Sequence, residues 1–284
     1  MQHFTARPLT HELGEDPAAW TTEPQRVSVP VGVWFPLAVV LLLEAAVRAG
    51  WIPAHLLPAP TTVLSTLYDL AASGALWQHV AASGTRIATG FAIGAVAGVV
   101  LGLATGLRRS LEAAFDPTFQ ALRAIPSLAW VPLLLLWLGI DEAPKIVLIA
   151  IGALFPVYLS VQSGVRNVDR KLVELAQAFG LGQPAIAWRV LLPASLPSLF
   201  TGLRQALSLS WMFLVAAELI AATRGIGYLL TDGRETGRAD VVLAAIVVLA
   251  VLGKLSDGVL KFVEARALRW RDAFDPGAGS GQRT

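Results

Sequence analysis

The sequence predicts an all-α membrane protein with about six transmembrane helices. Hydrophobic residues make up 55% of its 284 residues and charged residues only 15%, whereas soluble domains average about 25% charged residues. The mean hydropathy is +0.62. The apolar residues collect in stretches close to the length of about 20 residues that a bilayer-spanning helix needs. Polar segments that contain Gly and Pro separate these stretches, as expected for loops between spans.

The composition also excludes several classes of site. The net charge of +2 is too small to indicate a nucleic-acid partner. The chain has no Cys, so it can form neither a disulfide framework nor a thiolate metal site. The His residues are scattered without ligand spacing: His3, His11, His55 and His79. We therefore expect no metal and no cofactor bound by this chain.

The chain begins with a polar segment and a first span. Residues 1–30 lack the basic start and apolar run of a signal peptide, and we interpret them as a flexible cytoplasmic tail. Residues 31–82 are predicted to hold a first span at 31–49 and a periplasmic segment. Within that segment, two short surface helices are expected at 62–70 and 76–80.

Residues 83–262 are predicted to form the core of the membrane domain, and the second span at 83–107 carries a glycine stripe. Glycine recurs there at every fourth position: Gly90, Gly94, Gly98, Gly102 and Gly106. Such spacing lets a neighbouring helix backbone approach closely, so we expect intramolecular helix packing on this face. A substrate path lined by bare backbone is the alternative.

The remaining predicted spans lie at 124–140, 144–161, 199–222 and 241–260. The third contains Pro126 and Pro132 and the fourth Pro156, and neighbouring helices in a bundle can satisfy the carbonyls that such prolines free. Residues 263–284 are interpreted as a basic cytoplasmic tail.

Residues 169–193 predict an amphipathic helical hairpin between the fourth and fifth spans. Asp169 can cap a first helix, whose apolar stripe would be Leu172, Leu175, Ala176 and Phe179. Gly180 stands where a left-handed C-cap is needed. Gln183 and Pro184 then restart a helix, which we expect Pro193 and Pro197 to limit.

The distribution of Lys and Arg predicts the orientation. Six spans put both termini on one side. With the termini inside, the inner loops and tails hold 13 of the 22 Lys and Arg residues, the outer loops hold 3, and 6 lie in or at the ends of spans. The hairpin is then cytoplasmic, and the loop from Thr223 to Asp240 lies outside.

The hairpin resembles the cytoplasmic loop of ABC importer permeases, which has the pattern E-A-A, three residues, G, nine residues, I, one residue, L-P. The residues that match at this spacing are Glu174, Ala176, Gly180, Leu192 and Pro193. Leu175 replaces an Ala and Val190 replaces the Ile. An interfacial hairpin of an unrelated membrane protein is the alternative interpretation.

The resemblance extends from about Leu57 to Trp270 and points to the permeases for nitrate, sulfonate, taurine and bicarbonate import. It rests on LPAPTTVLSTL, FDPTFQALRAIPSLAWVPLLLLWLGI and TGLRQALSLSWMFLVAAELIAATRGIGYLL. The chain is most similar in these segments to aliphatic sulfonate or taurine permeases.

Membership of this family implies a type I importer fold in a bacterial inner membrane, with the hairpin as the coupling helices. It also implies a second, commonly identical, permease subunit, two cytoplasmic ATPases and a periplasmic or lipid-anchored substrate-binding protein. The chain has no G-x-x-x-x-G-K-[ST] loop. We therefore expect ATP to be bound and hydrolysed by the separate ATPase, with no enzymatic activity in this chain.

An acidic residue inside the fifth span is a candidate for the path or gate. The spacing of Ser208, Trp211 and Glu218 places them on one helical face, and a carboxylate within a span usually faces the bundle interior. Glu218 could form a gate-stabilising ion pair with Arg86, act as a protonated hydrogen-bonding group, or face the outer interface. We favour the ion pair.

Two other classes of protein remain open at this point. A secondary transporter working alone would need internal repeats, and none is convincing between the two halves of the sequence. A membrane scaffold without a transport role is the other alternative. Within the importer class, the substrate could be an anion or a different small solute such as a heterocyclic vitamin precursor.

Overall fold

The computed structural model describes residues 31–270, which are almost entirely helical and include no strand. The helices of these residues are α1 (Val31–Arg48), α2 (Pro60–Ala72), α3 (Ala75–Leu107), α4 (Arg109–Ala124), α5 (Trp130–Leu138), α6 (Glu142–Arg166), α7 (Arg170–Ala178), α8 (Gln183–Ile186), α9 (Leu192–Ala221), α10 (Ile226–Glu235) and α11 (Ala239–Ala267). A 3-10 turn, Ser127–Ala129, precedes α5, and a π-helical segment, Ala187–Leu191, joins α8 to α9.

The predicted all-α membrane fold is confirmed. Within the described range, four helical stretches are long and apolar enough to cross a membrane: Ala75–Leu107, Glu142–Arg166, Gln183–Ile220 and Ala239–Ala267. They contain the second, fourth and sixth predicted spans and all but the last two residues of the fifth. The 18 residues of α1 match the first predicted span except for its last residue.

The third predicted span is divided. It consists of the end of α4, a break at Ile125 and Pro126, the 3-10 turn and the nine residues of α5. Pro126 breaks the helix, because the residue before a proline is driven to extended geometry, and Ile125 has φ −72° and ψ 123°. Pro132 does not break it, because it lies in the first turn of α5, where its missing N–H has no helical partner to lose.

Three predicted boundaries are wrong. The separate surface helix at 76–80 does not exist, because α3 begins at Ala75 and carries its polar first turns beyond the apolar stretch without a break. The predicted tail at 263–284 begins too early, because α11 continues to Ala267. The remainder of that tail, from residue 271, and the predicted tail at 1–30 lie outside the described residues.

The third wrong boundary concerns the end of the hairpin. Pro193 and Pro197 do not stop the second hairpin helix, since Gln183–Ile220 is one continuous helical stretch. The π-helical segment immediately before Pro193 has one extra residue in its turn. That local widening is where a proline, which has no N–H to donate and crowds the preceding turn, can be accommodated.

Helix α6 lies at the centre of the bundle, between α3 and α9. The five glycines of α3 oppose Ile149, Ala153, Val157, Val161 and Val165 of α6 in chain order. Both helices advance together by four residues per contact, so they run parallel. On its other side α6 runs antiparallel to α9, because Gly152 meets Phe213 while Gly164 meets Ser198.

The glycine face of α3 has no room for side chains. A Cβ at Gly98 would lie 2.8 Å from the Leu154 carbonyl oxygen, and one at Gly102 would lie 2.8 Å from the Tyr158 carbonyl oxygen. At Gly94 it would overlap the Ala150 carbonyl. The stripe therefore packs against α6, and the alternative of an open path lined by bare glycine backbone is wrong for this face.

Candidate coupling hairpin and outer polar network

The hairpin at 169–193 is built by the local signals that its sequence carries. The Asp169 side chain accepts a hydrogen bond of 2.9 Å from the Lys171 backbone N–H, which caps α7. At the other end of α7, the Gly180 N–H donates to the Gln177 carbonyl and the Leu181 N–H donates to the Ala176 carbonyl. This is a Schellman motif, and Gly180 has the left-handed φ of +76° that it requires.

The predicted apolar stripe of α7 is divided between two surroundings. Ala176 is buried, and Ile186 of α8 is buried with it. Leu172, Leu175 and Phe179 are exposed, with Phe179 at 78%. The four residues of the predicted stripe therefore differ in burial, with Ala176 covered by the protein and the other three exposed.

These exposed side chains, together with Trp188 at 70% exposure, form an apolar surface on the hairpin. We call Leu172, Leu175, Phe179 and Trp188 the hairpin surface. Glu174 lies beside it, where its carboxylate accepts a 2.8 Å hydrogen bond from Arg170 Nε at an exposed i,i+4 position. Leu192 and Pro193 are half-buried where the π-helical segment meets α9. Exposed apolar clusters of this kind mark interaction sites.

The two residues that the sequence analysis paired, Arg86 and Glu218, lie in contact. Arg86 Nη1 donates to Glu218 Oε1 at 2.7 Å, and the Glu218 side chain is 0% exposed. Glu218 also accepts from Ser83 Oγ at 2.8 Å and from the Gly227 N–H at 2.8 Å. The alternative in which Glu218 faces the outer interface is therefore wrong.

The ion pair is part of a larger network. Arg86 donates from Nε to Glu142 Oε2 at 2.5 Å and from Nη2 to Glu142 Oε1 at 2.7 Å, a bidentate contact. The Lys145 ammonium, itself buried, lies 3.0 Å from Glu142 Oε1. Two cations thus meet two carboxylates, and the network joins α3, α6 and α9. We call Arg86, Glu142, Lys145 and Glu218 the outer network.

Backbone groups of the α9–α10 loop complete the network. Arg86 Nη1 also donates to the Arg224 carbonyl at 2.6 Å, and Ser83 Oγ accepts from the Ile226 N–H at 2.9 Å. Gly225 and Gly227 let the loop approach Glu218, since a Cβ at either position would lie 2.5–2.6 Å from that side chain. The loop is therefore fixed onto the bundle by charge and close approach together.

Several members of this site are not indicated by the sequence. Glu142 and Lys145 carry no local signal, whereas Ser83 lies three residues before Arg86 and so on the same helical face. His79 is half-buried beside the site. Its Nδ1 accepts a 3.1 Å hydrogen bond from the Gly225 N–H, and its ring stacks on Tyr228 at 5.9 Å.

Ser208 and Trp211 are not brought together with Glu218. They line a groove of about 480 Å3 between α9 and α11, and Trp211 Nε1 donates to Ser256 Oγ at 2.9 Å. Glu218 instead points into the contact with α3 and α10. The expectation that these three residues line one common path face is wrong, because Glu218 has no exposed surface in this subunit.

Ion pairs and hydrogen bonds hold the side chains of the outer network in place. Among the described residues, no cluster of His, Asp and Glu could hold a metal ion. Every carboxylate oxygen of Glu142 and Glu218 accepts a hydrogen bond. The outer network is thus a fixed, charge-balanced contact between helices. The hairpin lies toward the opposite end of α6 and exposes an apolar surface.

Comparison with known proteins gives consistent results. The family model "Binding-protein-dependent transport system inner membrane component" matches residues 90–269. The putative aliphatic sulfonates transport permease protein SsuC of Escherichia coli (strain K12) is 45% identical over 245 residues, which cover 86% of this chain and 93% of that protein. The taurine transport system permease protein TauC of the same organism is 36% identical over 249 residues, 86% of this chain and 87% of TauC.

A solved structure shows the same fold. A chain of the MetNI methionine ABC transporter in an inward-facing conformation aligns with a TM-score of 0.56 and 22% identity. The alignment covers 69% of this chain and 97% of that chain. Together, these findings favour an importer permease over a secondary transporter or a scaffold.

Proposed function

The chain belongs to the family of binding-protein-dependent transport system inner membrane components, and on that premise we propose that it forms the path for an aliphatic sulfonate. It is a permease of an ABC importer, a class that implies an ATPase and a substrate-binding protein as partners. The observation that carries the choice of substrate is the 45% identity to an aliphatic sulfonates permease over 93% of that protein's length.

We propose that ATP is hydrolysed by a separate ATPase subunit that docks on the hairpin surface. Phe179 and Trp188 are large, apolar and exposed, and such side chains supply much of the binding energy at protein interfaces. The Schellman motif at Gly180 fixes the turn between α7 and α8 through backbone hydrogen bonds within the hairpin. Movement of the ATPases can therefore be transmitted to α9 through the continuous helix from Gln183.

The assembly is proposed to contain two copies of this chain and two ATPases. In the proposed orientation both termini are cytoplasmic, which places the hairpin on the ATPase side and α10 on the side of the binding protein. The excess of Lys and Arg in the inner loops supports this orientation. ATP binding would favour the outward-open state through its higher affinity for the closed ATPase dimer.

The outer network is proposed to stabilise the outer gate. It joins α3, α6, α9 and the loop before α10 at one end of the bundle, far from the hairpin. Arg86 forms a buried ion pair with Glu218 and a bidentate contact with the more exposed Glu142, so directed polar contacts fix the relative positions of α3, α6 and α9. When α9 moves with the hairpin, the Arg86–Glu218 contact is the polar link that must move with it or break.

Taurine is the second candidate substrate, and the similarity to TauC favours it. The experiment is uptake into cells that carry the permease with its ATPase and binding protein. Labelled ethanesulfonate, taurine and nitrate are supplied in turn. We expect ATP-dependent uptake of ethanesulfonate that exceeds nitrate uptake. Uptake of neither sulfonate contradicts the proposed function, and preference for taurine would select the second candidate.

A further inference from the structure

A cavity of about 250 Å3 lies at the break between α4 and α5, bounded by α6 and α9. Its walls are mostly apolar and include Trp130, Phe155 and Phe213. Arg123 and Gln205 are the charged residue and the amide residue of its lining. The volume is just below the about 300–1,000 Å3 of pockets for drug-sized ligands, which suits a smaller solute.

The cavity lies level with the middle of α6, which is long and apolar enough to cross a membrane. Its α6 wall runs from Ile151 to Leu159, the middle of the helix Glu142–Arg166. A cation at this depth is unfavourable against lipid, so it usually faces a water-filled path or a partner of opposite charge. Arg123 is exposed in the single subunit. Arg123 therefore faces either the translocation path or another subunit.

Arg123 differs from the arginines of the three central helices α3, α6 and α9. Within residues 31–270, Arg86, Arg166 and Arg204 each form an ion pair, whereas Arg123 forms none. Asp116 shares a smaller cleft with it. The carboxylate of Asp116 is already bonded to Gln120 Nε2 at 2.5 Å and to the Tyr158 hydroxyl at 3.4 Å.

We propose that Arg123 and Gln205 form an anion subsite on the translocation path, where the sulfonate group pauses between the binding protein and the cytoplasm. This inference rests on the proposed function. A guanidinium donates several N–H groups in one plane, and a sulfonate offers three acceptor oxygens, so the two are complementary. The aromatic walls suit the alkyl part of the same molecule. Because the cavity is open on one side, the solute can enter and leave.

The experiment uses the full importer in proteoliposomes, with saturating binding protein and labelled ethanesulfonate as the probe. Uptake per ATP hydrolysed is compared for wild type, Arg123→Gln and Arg123→Lys. The matched control is Arg109→Gln, which removes the same charge from the exposed first turn of the same helix. Co-purification with the ATPase reports assembly of each variant.

We expect Arg123→Gln to lower uptake per ATP about tenfold, as loss of one charged hydrogen-bonding partner does, while assembly is unchanged. Arg123→Lys should retain most of the uptake, and Arg109→Gln should match wild type. Equal uptake by Arg123→Gln and wild type contradicts the subsite alone. Loss of assembly in Arg123→Gln would instead assign Arg123 to a contact between subunits and would also overturn it. A wild-type importer that carries no sulfonate contradicts the proposed function and, with it, this inference.

Chemical rescue separates a role of the charge from a role of the side chain's shape. The chain has no Cys, so Arg123→Cys introduces a single thiol. Reaction of that thiol with 2-aminoethyl methanethiosulfonate restores a cation, and we expect uptake to recover. Reaction with the methyl reagent or with the 2-sulfonatoethyl reagent should leave uptake low. Equal recovery with all three reagents would contradict the subsite.

Discussion

The α3–α6–α9 core and the hairpin use the same residue type for opposite physical reasons. Gly94 lies in a regular helix and has no space, because a Cβ there would overlap the Ala150 carbonyl. Gly180 has open space around its Cα but a φ of +76°, which a side chain disfavours. The core is therefore specified by contact between helices, and the hairpin by its own backbone. Substitutions in the core should therefore reduce assembly of the complex. Substitutions in the hairpin should reduce the coupling of ATP hydrolysis to transport.

The largest effect is predicted for Arg86→Gln in the core. Removing one partner of a buried ion pair typically costs about 3–5 kcal/mol, and here it leaves both Glu142 and Glu218 without the guanidinium. Thermal unfolding of the purified complex measures this loss. The matched control is Arg48→Gln, because the Arg48–Glu44 pair is exposed on the Arg48 side and such pairs contribute about 0–1 kcal/mol.

Glu218→Gln should cost less than Arg86→Gln, because the amide can keep hydrogen bonds to Ser83 and Gly227. The double variant should be no worse than Arg86→Gln alone. If the two losses add in the double variant, the Arg86–Glu218 pair does not act as a unit, and the network is not the joint proposed here.

The next largest effect is predicted for Gly94→Ala. One added methyl group must displace the α6 backbone, and such overpacking typically costs about 1–3 kcal/mol. Gly94→Leu should lower the yield further, because its side chain is larger. Gly84→Ala on the same helix is the control, since nothing lies within 4 Å of a Cβ there. The yield of monodisperse permease is the measurement, and equal yields for Gly94→Ala and Gly84→Ala contradict the close contact.

Phe179→Ala is predicted to affect the permease itself less than the substitutions above do, but to weaken binding of the ATPase clearly. Phe179 is 78% exposed, so the substitution should leave permease yield unchanged while it weakens ATPase co-purification. Phe35→Ala, at a similarly exposed Phe of α1, is the control. Unchanged ATPase retention in Phe179→Ala would remove Phe179 from the docking surface.

The smallest functional effect is predicted for cysteine substitutions at the exposed end of α10. Arg234 and Glu235 lie there, and Arg234→Cys and Glu235→Cys should support normal uptake. Both should react with an impermeant thiol reagent added to intact cells, because α10 is proposed to face outward. Reaction only after lysis would invert the proposed orientation.

The sequence predicts best what is decided locally. The Asp169 cap and the left-handed Gly180 each depend on a few neighbouring residues, and each is where the pattern indicates. The glycine spacing also indicates a contact face, although only the structure shows that α6 covers it. Apolar stretches locate the spans, because a bilayer imposes length and composition on each one.

What the sequence could not predict depends on partners distant in the chain. In the sequence, Glu142 and Lys145 look like loop charges at the start of a span. Their place in the outer network depends on contact with Arg86, which lies 56 positions before Glu142 in the chain. The sequence predicts that Pro193 ends the second hairpin helix, whereas the helix continues into α9 because a π-helical segment accommodates the proline. Trp211 contacts Ser256 of α11, whereas Glu218 contacts Arg86 of α3. Helical periodicity alone does not predict which helix lies beside each residue.

The most direct test of the hairpin as the coupling element is substrate-stimulated ATPase activity of the reconstituted importer carrying Gly180→Val. A β-branched residue at a φ of +76° is strongly disfavoured and should turn α8 away from α7. Gly182→Ala is the matched control, because Gly182 has a φ of −71° and only Pro184 Cδ at 3.9 Å from an added Cβ. We predict that Gly180→Val assembles normally but loses stimulation by the loaded binding protein, whereas Gly182→Ala retains it. Full stimulation of Gly180→Val in an intact complex would contradict the assignment of residues 169–193 as the coupling hairpin.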